Sequence, residues 1–379
     1  MDFLFYISVF MVFFAYFGYP LTLAIIGKFV SFTPKRERIE PSVTLIITAY
    51  NEERRIRKKL ENTIKIDYPR DKFQVIVASD GSTDKTNDIV RDFADRKIEL
   101  LDVKDRKGKE NAQKEAIKIA RGEIIVFSDV ATILDPSGIR EIVSNFADPA
   151  IGCVSSEDRM IEDSSGSGGG GEGFYVKYEM WLRGLESRIH SVVGLSGSFF
   201  AARREVCEDF SPKMQSDFRT LLSSMRKGMR GISDPHAVGY YQDIKDTSRE
   251  FDRKVRTVIR GLNVFFHNFE FVNVFEFGIF SYQYICHKLL RWLVPFFMLS
   301  ALVSNVFLAF HSVWFAAFFA LQIVFYSAAV AGIAGVGRRS SFVGVKIPKF
   351  FVLVNTSILI AWIRYLRGER LTMWTPSVR

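Results

Sequence analysis

Cysteine and histidine are scarce, with three and five copies in 379 residues. Cys153, Cys207 and Cys286 are an odd set without metal-like spacing, and the histidines are scattered. This excludes a disulfide framework and a zinc centre, and leaves reduced thiols of a cytosolic domain. Charge is absent over two long stretches. Phe3 to Gly27 carries none, and it is long enough to cross a hydrocarbon core of roughly 30 Å as a helix. Asp2 gives it no positive leader and no small-residue cleavage site closes it, so a membrane anchor is expected and not a cleaved signal peptide. Leu293 to Gly337 is also uncharged, and it accommodates two helices of about 20 residues joined near His311 and Ser312. Phe350 to Ile363, between Lys349 and Arg364, is short for a span. It reads as re-entrant or interfacial, or as a span stretched by snorkelling of those two cations.

The formal net charge is +9, and part of the excess sits beside these runs. Lys28, Lys35, Arg36 and Arg38 follow the first run, and Arg338, Arg339, Lys346 and Lys349 follow the second. That asymmetry puts the region between them on the cytoplasmic side of the cell membrane. Arg364, Arg367 and Arg370 fall on the same side if 350–363 does not cross. Such clusters suit anionic lipid headgroups. The basic residues form no single soluble face interleaved with aromatics, which argues against a nucleic-acid partner.

From Pro41 to about Pro235 short apolar strands alternate with amphipathic segments. Val43 to Thr48, Gln74 to Ser79, Ile98 to Val103 and Ile124 to Phe127 read as strands. Glu52 to Thr63, Thr83 to Ala94 and Glu110 to Ala120 read as helices. This rhythm predicts an α/β fold with a mainly parallel sheet covered on both faces. Polar ligands of such sheets collect at the carboxyl ends of the strands, where the polar clusters fall. Tyr50, Asn51 and Glu52 follow the first strand, Asp80 and Gly81 the second. Ser82 or Thr83 is a natural cap for the next helix, with Asp84 in its first turn. Arg106-Lys107-Gly108-Lys109 precedes a helix whose N-terminal amides and lysines favour phosphate. Asp129, at the end of an apolar strand, suits a metal or a sugar hydroxyl.

Ile161 to Gly173 is Gly/Ser-rich, either a lid or a surface insertion. Tyr175 to Arg188 reads as a helix with Tyr178, Trp181, Leu182 and Leu185 on one face. The turn Val193 to Phe199 can place backbone donors beside an acceptor hydroxyl. Asp217 is a candidate general base or a helix cap. Arg253, Arg256 and Arg260 mix cations with apolar positions, suiting phosphate or a lipid surface. Residues 261–292 read as interfacial helices ending in the boundary residues Lys288, Arg291 and Trp292. The expected organisation is an anchor at 1–32, a soluble domain at 41–260 with its loop at 161–173, interfacial helices at 261–292, two spans at 293–337, and a basic loop, short helix 350–363 and tail at 338–379.

In this order the motifs resemble the family 2 glycosyltransferases, especially membrane synthases of the hyaluronan, chitin and cellulose type and related glycolipid-forming enzymes. The resemblance runs from about Pro41 through Arg260. It implies a glycosyltransferase A-type, Rossmann-like domain with a mixed, mainly parallel sheet, plus transmembrane and interfacial helices. By resemblance, Tyr50, Asn51, Glu52, Asp80 and Asp84 contact the nucleotide, and Gly108-Lys109 lies near the diphosphate. The Asp-x-Asp motif falls on Asp129-Val130-Ala131, so Asp129 is carried over as the metal and donor ligand while the second carboxylate is missing. The base of the family's acidic pair falls on Ser216-Asp217. The Gln/Arg-x-x-Arg-Trp motif falls on Arg253 to Thr257, so Arg253 and Arg256 remain for diphosphate without the Trp surface.

The resemblance implies inverting transfer from a nucleotide sugar, UDP-linked by family habit, aided by Mg²⁺ or Mn²⁺. The expected acceptor is a hydroxyl of a lipid or lipid-linked glycan at the cytoplasmic membrane face. A processive polysaccharide synthase, with a homo-oligomer supplying channel walls, is the first alternative. A catalytically silent glycan-binding or scaffold subunit, motivated by Ala131 and Thr257, is the second.

Overall fold

The computed structural model describes residues 1–161, 172–241, 247–335 and 343–371. Nearly all of the Gly/Ser-rich stretch and the Arg338-Arg339 loop therefore lie outside the described residues. In chain order, α1 (Asp2–Ile26) is followed by β1 (Val43–Ala49), α2 (Ile56–Thr63), β2 (Phe73–Asp80), α3 (Thr86–Arg91) and β3 (Ile98–Val103). Next come α4 (Lys109–Ile119), β4 (Ile124–Asp129), β5 (Ile133–Leu134), α5 (Gly138–Ser144), β6 (Ile151–Met160) and α6 (Glu172–Ile189). Then follow β7 (Phe199–Arg203), α7 (Ser216–Arg226), β8 (Arg230–Tyr241) and α8 (Thr247–His267). The chain closes with α9 (Ile279–Leu308), α10 (Val313–Ile333) and α11 (Val343–Leu366).

Among the described residues eight strands form one sheet in the order β3-β2-β1-β4-β7-β6-β8-β5. β3, β2, β1 and β4 are mutually parallel, and β7 enters antiparallel between β4 and β6. Successive side chains along a strand point to opposite faces. Leu45, Ile47, Val75, Val77 and Val126 accordingly pack on one side with Ile56, Leu60, Val90 and Ile142. Ile46, Ile76, Ala78, Ile125 and Phe127 pack on the other with Ala112, Ala116 and Leu221. Both faces are covered, which is why these strands read as continuous apolar runs. Full burial of one such side chain is worth roughly 1.5–3 kcal/mol.

Two helices start later than the sequence pattern predicts. α2 begins at Ile56, not Glu52, and α3 at Thr86, not Thr83. The polar residues between strand and helix bond one another instead of opening a helix. Asn51 Oδ1 accepts the Thr83 N–H at 2.8 Å, and the Glu52 N–H donates to Thr86 Oγ1 at 2.7 Å. Asp84 Oδ1, not Ser82 or Thr83, accepts the Thr86 N–H at 3.0 Å.

Among the described residues four helices are long and apolar enough to cross a membrane: Asp2–Ile26, Ile279–Leu308, Val313–Ile333 and Gly344–Leu366. α9 thus begins 14 residues before the uncharged run, its first turns packing Phe280 and Tyr284 against Phe218 of α7 and Phe265 of α8. α1 runs antiparallel along it, with Ser8 Oγ 3.1 Å from Ser300 Oγ and Phe5 against Ala301 and Leu308. A buried polar knot joins both to α6. Tyr19 Oη donates to Glu186 Oε1 at 2.6 Å, His287 Nδ1 lies 2.6 Å from the same oxygen, and Arg291 pairs with Glu179.

α11 is arranged differently. Phe351 packs on Tyr16, beside Arg291, while Trp362 donates its indole N–H to the Trp292 carbonyl at 2.9 Å. Those two aromatic residues are separated by roughly 16 Å along the helix axis, yet they touch neighbouring residues of the α1–α9 pair. α11 therefore runs across that pair. It lies side by side with α8, through Lys254 over Phe350 and Phe266 against Trp362 and Tyr365.

Candidate active site

β1, β2 and β4 are adjacent and parallel, so their carboxyl ends bring Tyr50 to Glu52, Asp80 and Asp129 to one edge of the sheet. Asp80 is fully buried, and its two oxygens accept the N–H groups of Lys107 and Gly108 at 2.9 and 2.8 Å. It therefore shapes the basic loop that precedes α4. Arg106 of that loop lies 3.8 Å above the Tyr50 ring, a platform that bounds this end of the site. Asn51, with φ at 51°, ties the two strand ends together. Glu52 is buried and forked onto Arg55 at 2.7 Å. Burial raises its pKa, with Asp129 and Asp84 adding to the rise and Arg55 opposing it.

Lys109 opens α4 and points into the site. Its ammonium bonds Asp129 Oδ1 at 2.5 Å and the Gly197 carbonyl at 3.0 Å. Below Asp129, fully buried Lys59 donates to Ser128 Oγ at 2.7 Å and to the Thr132 carbonyl at 2.6 Å, bracketing the Asp129–Thr132 turn. Nothing in the local pattern of α2 marked Lys59 as a buried group.

Asp217 sits in the first turn of α7 and is 9% exposed. Gln215 Nε2 donates to its Oδ2 at 3.1 Å. A Cβ on Gly197 would stand 3.1 Å from the same oxygen, so the glycine lets the loop and the carboxylate touch. Gly197 is thus the joint between Lys109 and Asp129 on one side and Asp217 on the other. Ser196 and Ser198 anchor the loop by donating to Asp158 at 2.7 to 2.8 Å. That carboxylate carries no sequence signal because it lies about 40 residues upstream, on β6.

Arg253, Arg256 and Arg260 recur along one flank of α8. Arg260 pairs with Glu110, the residue after Lys109, which docks this flank beside the start of α4. Burial lowers the Arg256 pKa, with Arg260 and Arg253 adding to the fall and Asp252 opposing it. Three crowded guanidinium groups make a setting for polyanionic phosphate. Tyr50, Asn51, Glu52, Asp80, Lys109, Asp129 and Asp217 thus lie about the strand ends and the Gly197 loop, and Arg253 and Arg256 on the helix that Arg260 docks beside α4.

Among the described residues no group of three or more His, Cys, Asp or Glu is placed to hold a metal ion. Asp129 gives one oxygen to Lys109, and Ala131 offers none. The donor set fits a divalent cation completed by phosphate oxygens, since hard cations bind through one or two carboxylates plus substrate phosphates. It does not fit a cage made by the protein alone.

Residues 44–210 match the family model described as "Glycosyl transferase family 2". The chain thus carries a family 2 glycosyltransferase domain set among membrane-type helices. Poly-β-1,6-N-acetyl-D-glucosamine synthase of Staphylococcus epidermidis is 28% identical over 125 residues, 32% of this chain and 30% of that protein. The synthase of the same name from Staphylococcus aureus strain COL is 29% identical over the same shares. The match thus spans under a third of these curated relatives. The mannosyltransferase PcManGT from Pyrobaculum calidifontis, solved in complex with GDP-Man and Mn²⁺, superposes with a TM-score of 0.72 at 23% identity, covering 97% of this chain and 100% of that one. That likeness shows a shared fold across soluble domain and helices.

Proposed function

We propose that this protein transfers a sugar, with inversion, from a nucleoside diphosphate sugar to an acceptor hydroxyl at the cytoplasmic face of the cell membrane. The observation that carries this is the meeting of Lys109, Asp129 and Asp217 around Gly197. Asp217 takes the proton from the acceptor oxygen as that oxygen attacks the anomeric carbon. The new carbon–oxygen bond forms on one face while the bond to the diphosphate breaks on the other. Negative charge accumulates on the departing nucleoside diphosphate, where Lys109, Arg253 and Arg256 stabilise it. A divalent cation held by Asp129 and the diphosphate would add Lewis-acid stabilisation of the same charge. Tyr50, Asn51, Glu52 and Asp80 shape the nucleotide end.

The proposed donor is UDP-linked, with GDP, the nucleotide bound by the Pyrobaculum protein, as the competitor to test. The proposed acceptor is a lipid or lipid-linked glycan. The crossing of α1 and α9 by α11 supports three spans with α11 in the interface, too few to enclose a polymer channel within one copy. The names of the staphylococcal relatives favour a second reading, processive polymer synthesis.

The test is to incubate the full chain in native-like lipid with UDP- and GDP-sugars and identify products by mass spectrometry. A single sugar added to a lipid supports the first reading and a ladder of sugars the second. No product with any donor sinks both and leaves a silent subunit. Asp217→Asn should reduce turnover by about 10²–10⁴-fold, the range for general acid–base groups, while donor still binds. Near-normal turnover would remove Asp217 from its role.

A further inference from the structure

We propose that Lys288 and Arg183 form a subsite for a phosphate group on the acceptor, at the membrane side of Asp217; the inference rests on the glycosyl-transfer reading above. Lys288 belongs to the π-helical turn Ile285–Leu290 inside α9. Its ammonium lies 3.2 Å from where a Cβ would stand on Gly194, and 4.9 Å from the ring centroid of Phe218, the residue after Asp217. Arg183, on α6, donates to Ser155 Oγ at 3.2 Å, and that oxygen also accepts the Ser196 N–H at 2.8 Å. Lys288 therefore stands beside the loop that reaches Asp217 through Gly197, and Arg183 reaches the same loop through Ser155.

The charges around Lys288 are those of Arg183, Glu179, Asp217 and Glu186. The three carboxylates already have partners. Glu179 pairs with Arg291 and His287, Glu186 with Tyr19 and His287, and Asp217 with Gln215. Neither Lys288 nor Arg183 makes an ion pair among the described residues. Two like charges within electrostatic reach of each other are complemented by an anion, and a phosphate, with its several acceptor oxygens, suits an ammonium beside a guanidinium.

Both residues are half-buried where α6 and α9 meet the soluble domain. Their depth is that of lipid headgroups. The uncharged part of α9 begins five residues after Lys288, and Trp181, two residues before Arg183, is 53% exposed, as expected of an interfacial aromatic. The donor diphosphate is assigned to the other side of the loop, at Lys109, Arg253 and Arg256. The loop thus separates a donor phosphate region from an acceptor phosphate region, with Asp217 between them.

The experiment measures retention of radiolabelled farnesyl phosphate by the full chain in phosphatidylcholine nanodiscs, corrected for empty discs. UDP and GDP retention with Mn²⁺ is measured in parallel. Lys288→Met and Arg183→Gln should each weaken farnesyl phosphate by about tenfold or more, the loss of one charge-assisted contact, with Lys288→Arg close to wild type and nucleotide retention unchanged. Unlabelled farnesol should compete poorly. Displacement by inorganic phosphate as effective as by farnesyl phosphate assigns a soluble phosphorylated acceptor, and a requirement for the prenyl chain assigns a lipid-linked one. Wild-type affinity in both Lys288→Met and Arg183→Gln, or competition by farnesol equal to farnesyl phosphate, overturns the subsite. A chain that retains nucleotide but neither farnesyl phosphate nor inorganic phosphate sinks the subsite alone. One that retains farnesyl phosphate but no nucleotide sinks the glycosyl-transfer reading, and with it the acceptor role.

Discussion

Replacing Lys109 by methionine separates a structural clamp from a group that acts on the leaving diphosphate. Methionine keeps the unbranched stem and removes the charge that bonds Asp129 at 2.5 Å and the Gly197 carbonyl at 3.0 Å. Breaking a fully buried ion pair costs about 3–5 kcal/mol. Here Lys109 is 9% exposed but Asp129 is 27% exposed at the side chain. Water can therefore rescue the carboxylate, and the expected stability loss is about 1–2 kcal/mol. The rate should suffer more. Removing one preorganised group that stabilises transition-state charge costs about 10²–10³ in kcat. The assay is kcat at saturating donor, well below the unfolding temperature, beside thermal unfolding of the same preparation. Asp129→Asn alone and in combination completes a cycle that isolates the pair from the catalytic charge. A Lys109→Met enzyme that turns over within about threefold of wild type would refute the leaving-group role and leave Lys109 as a loop clamp.

The other predictions follow from neighbouring atoms. Gly197→Ala places a Cβ 3.1 Å from Asp217 Oδ2, and the displaced base should lower kcat about tenfold with little change in donor binding; an unchanged kcat would show that the loop yields freely. Burial pushes Lys59 down to about 7, so between there and the ordinary lysine value the unfolded chain binds more protons. Stability should therefore rise with pH across that window in wild type and lose that slope in Lys59→Met, and equal slopes for both chains would deny it. Stripping divalent cations should lower turnover by about two orders of magnitude with Mn²⁺ restoring it, whereas full activity in chelator would assign the whole charge burden to Lys109, Arg253 and Arg256.

The strand–helix rhythm was legible because both sheet faces are covered, which turns each of β1, β2 and β4 into a short apolar run bounded by polar residues. Helix starts were less legible. Asn51 bonds Thr83 and Glu52 bonds Thr86 across two loops, and a pairing over 32 residues or more leaves no mark on a local window. The candidate residues Tyr50 to Glu52, Asp80 and Asp129 were readable by their positions at strand ends, but their partners were not. Asp80 proves to be occupied with the Lys107-Gly108 backbone, and Lys109 with Asp129. Lys59, Asp158 and Arg183 carry no pattern at all, and Lys288 only that of a membrane-boundary residue, since each acquires its further meaning from a loop or strand distant in the chain.

The membrane helices show the same division between composition and contact. By length and hydropathy α11 qualifies as a span, and a fourth crossing would carry Arg364, Arg367 and Arg370 away from the side that holds the soluble domain. Its contacts with α10 fit that, Gly332 standing beside Val345 and Lys349 and Phe325 against Phe351, while others support the interfacial reading. Phe351 and Trp362 meet the α1–α9 pair at Tyr16 and Trp292, and the helix keeps company with amphipathic α8 along its length. A helix lying across two spans leaves its basic end on the domain side, which agrees with the charge rule. On the proposed reading, α8 carrying Arg253 and Arg256 and α11 beside it would put the donor phosphates and Asp217 near the interfacial layer, within reach of a lipid-linked acceptor.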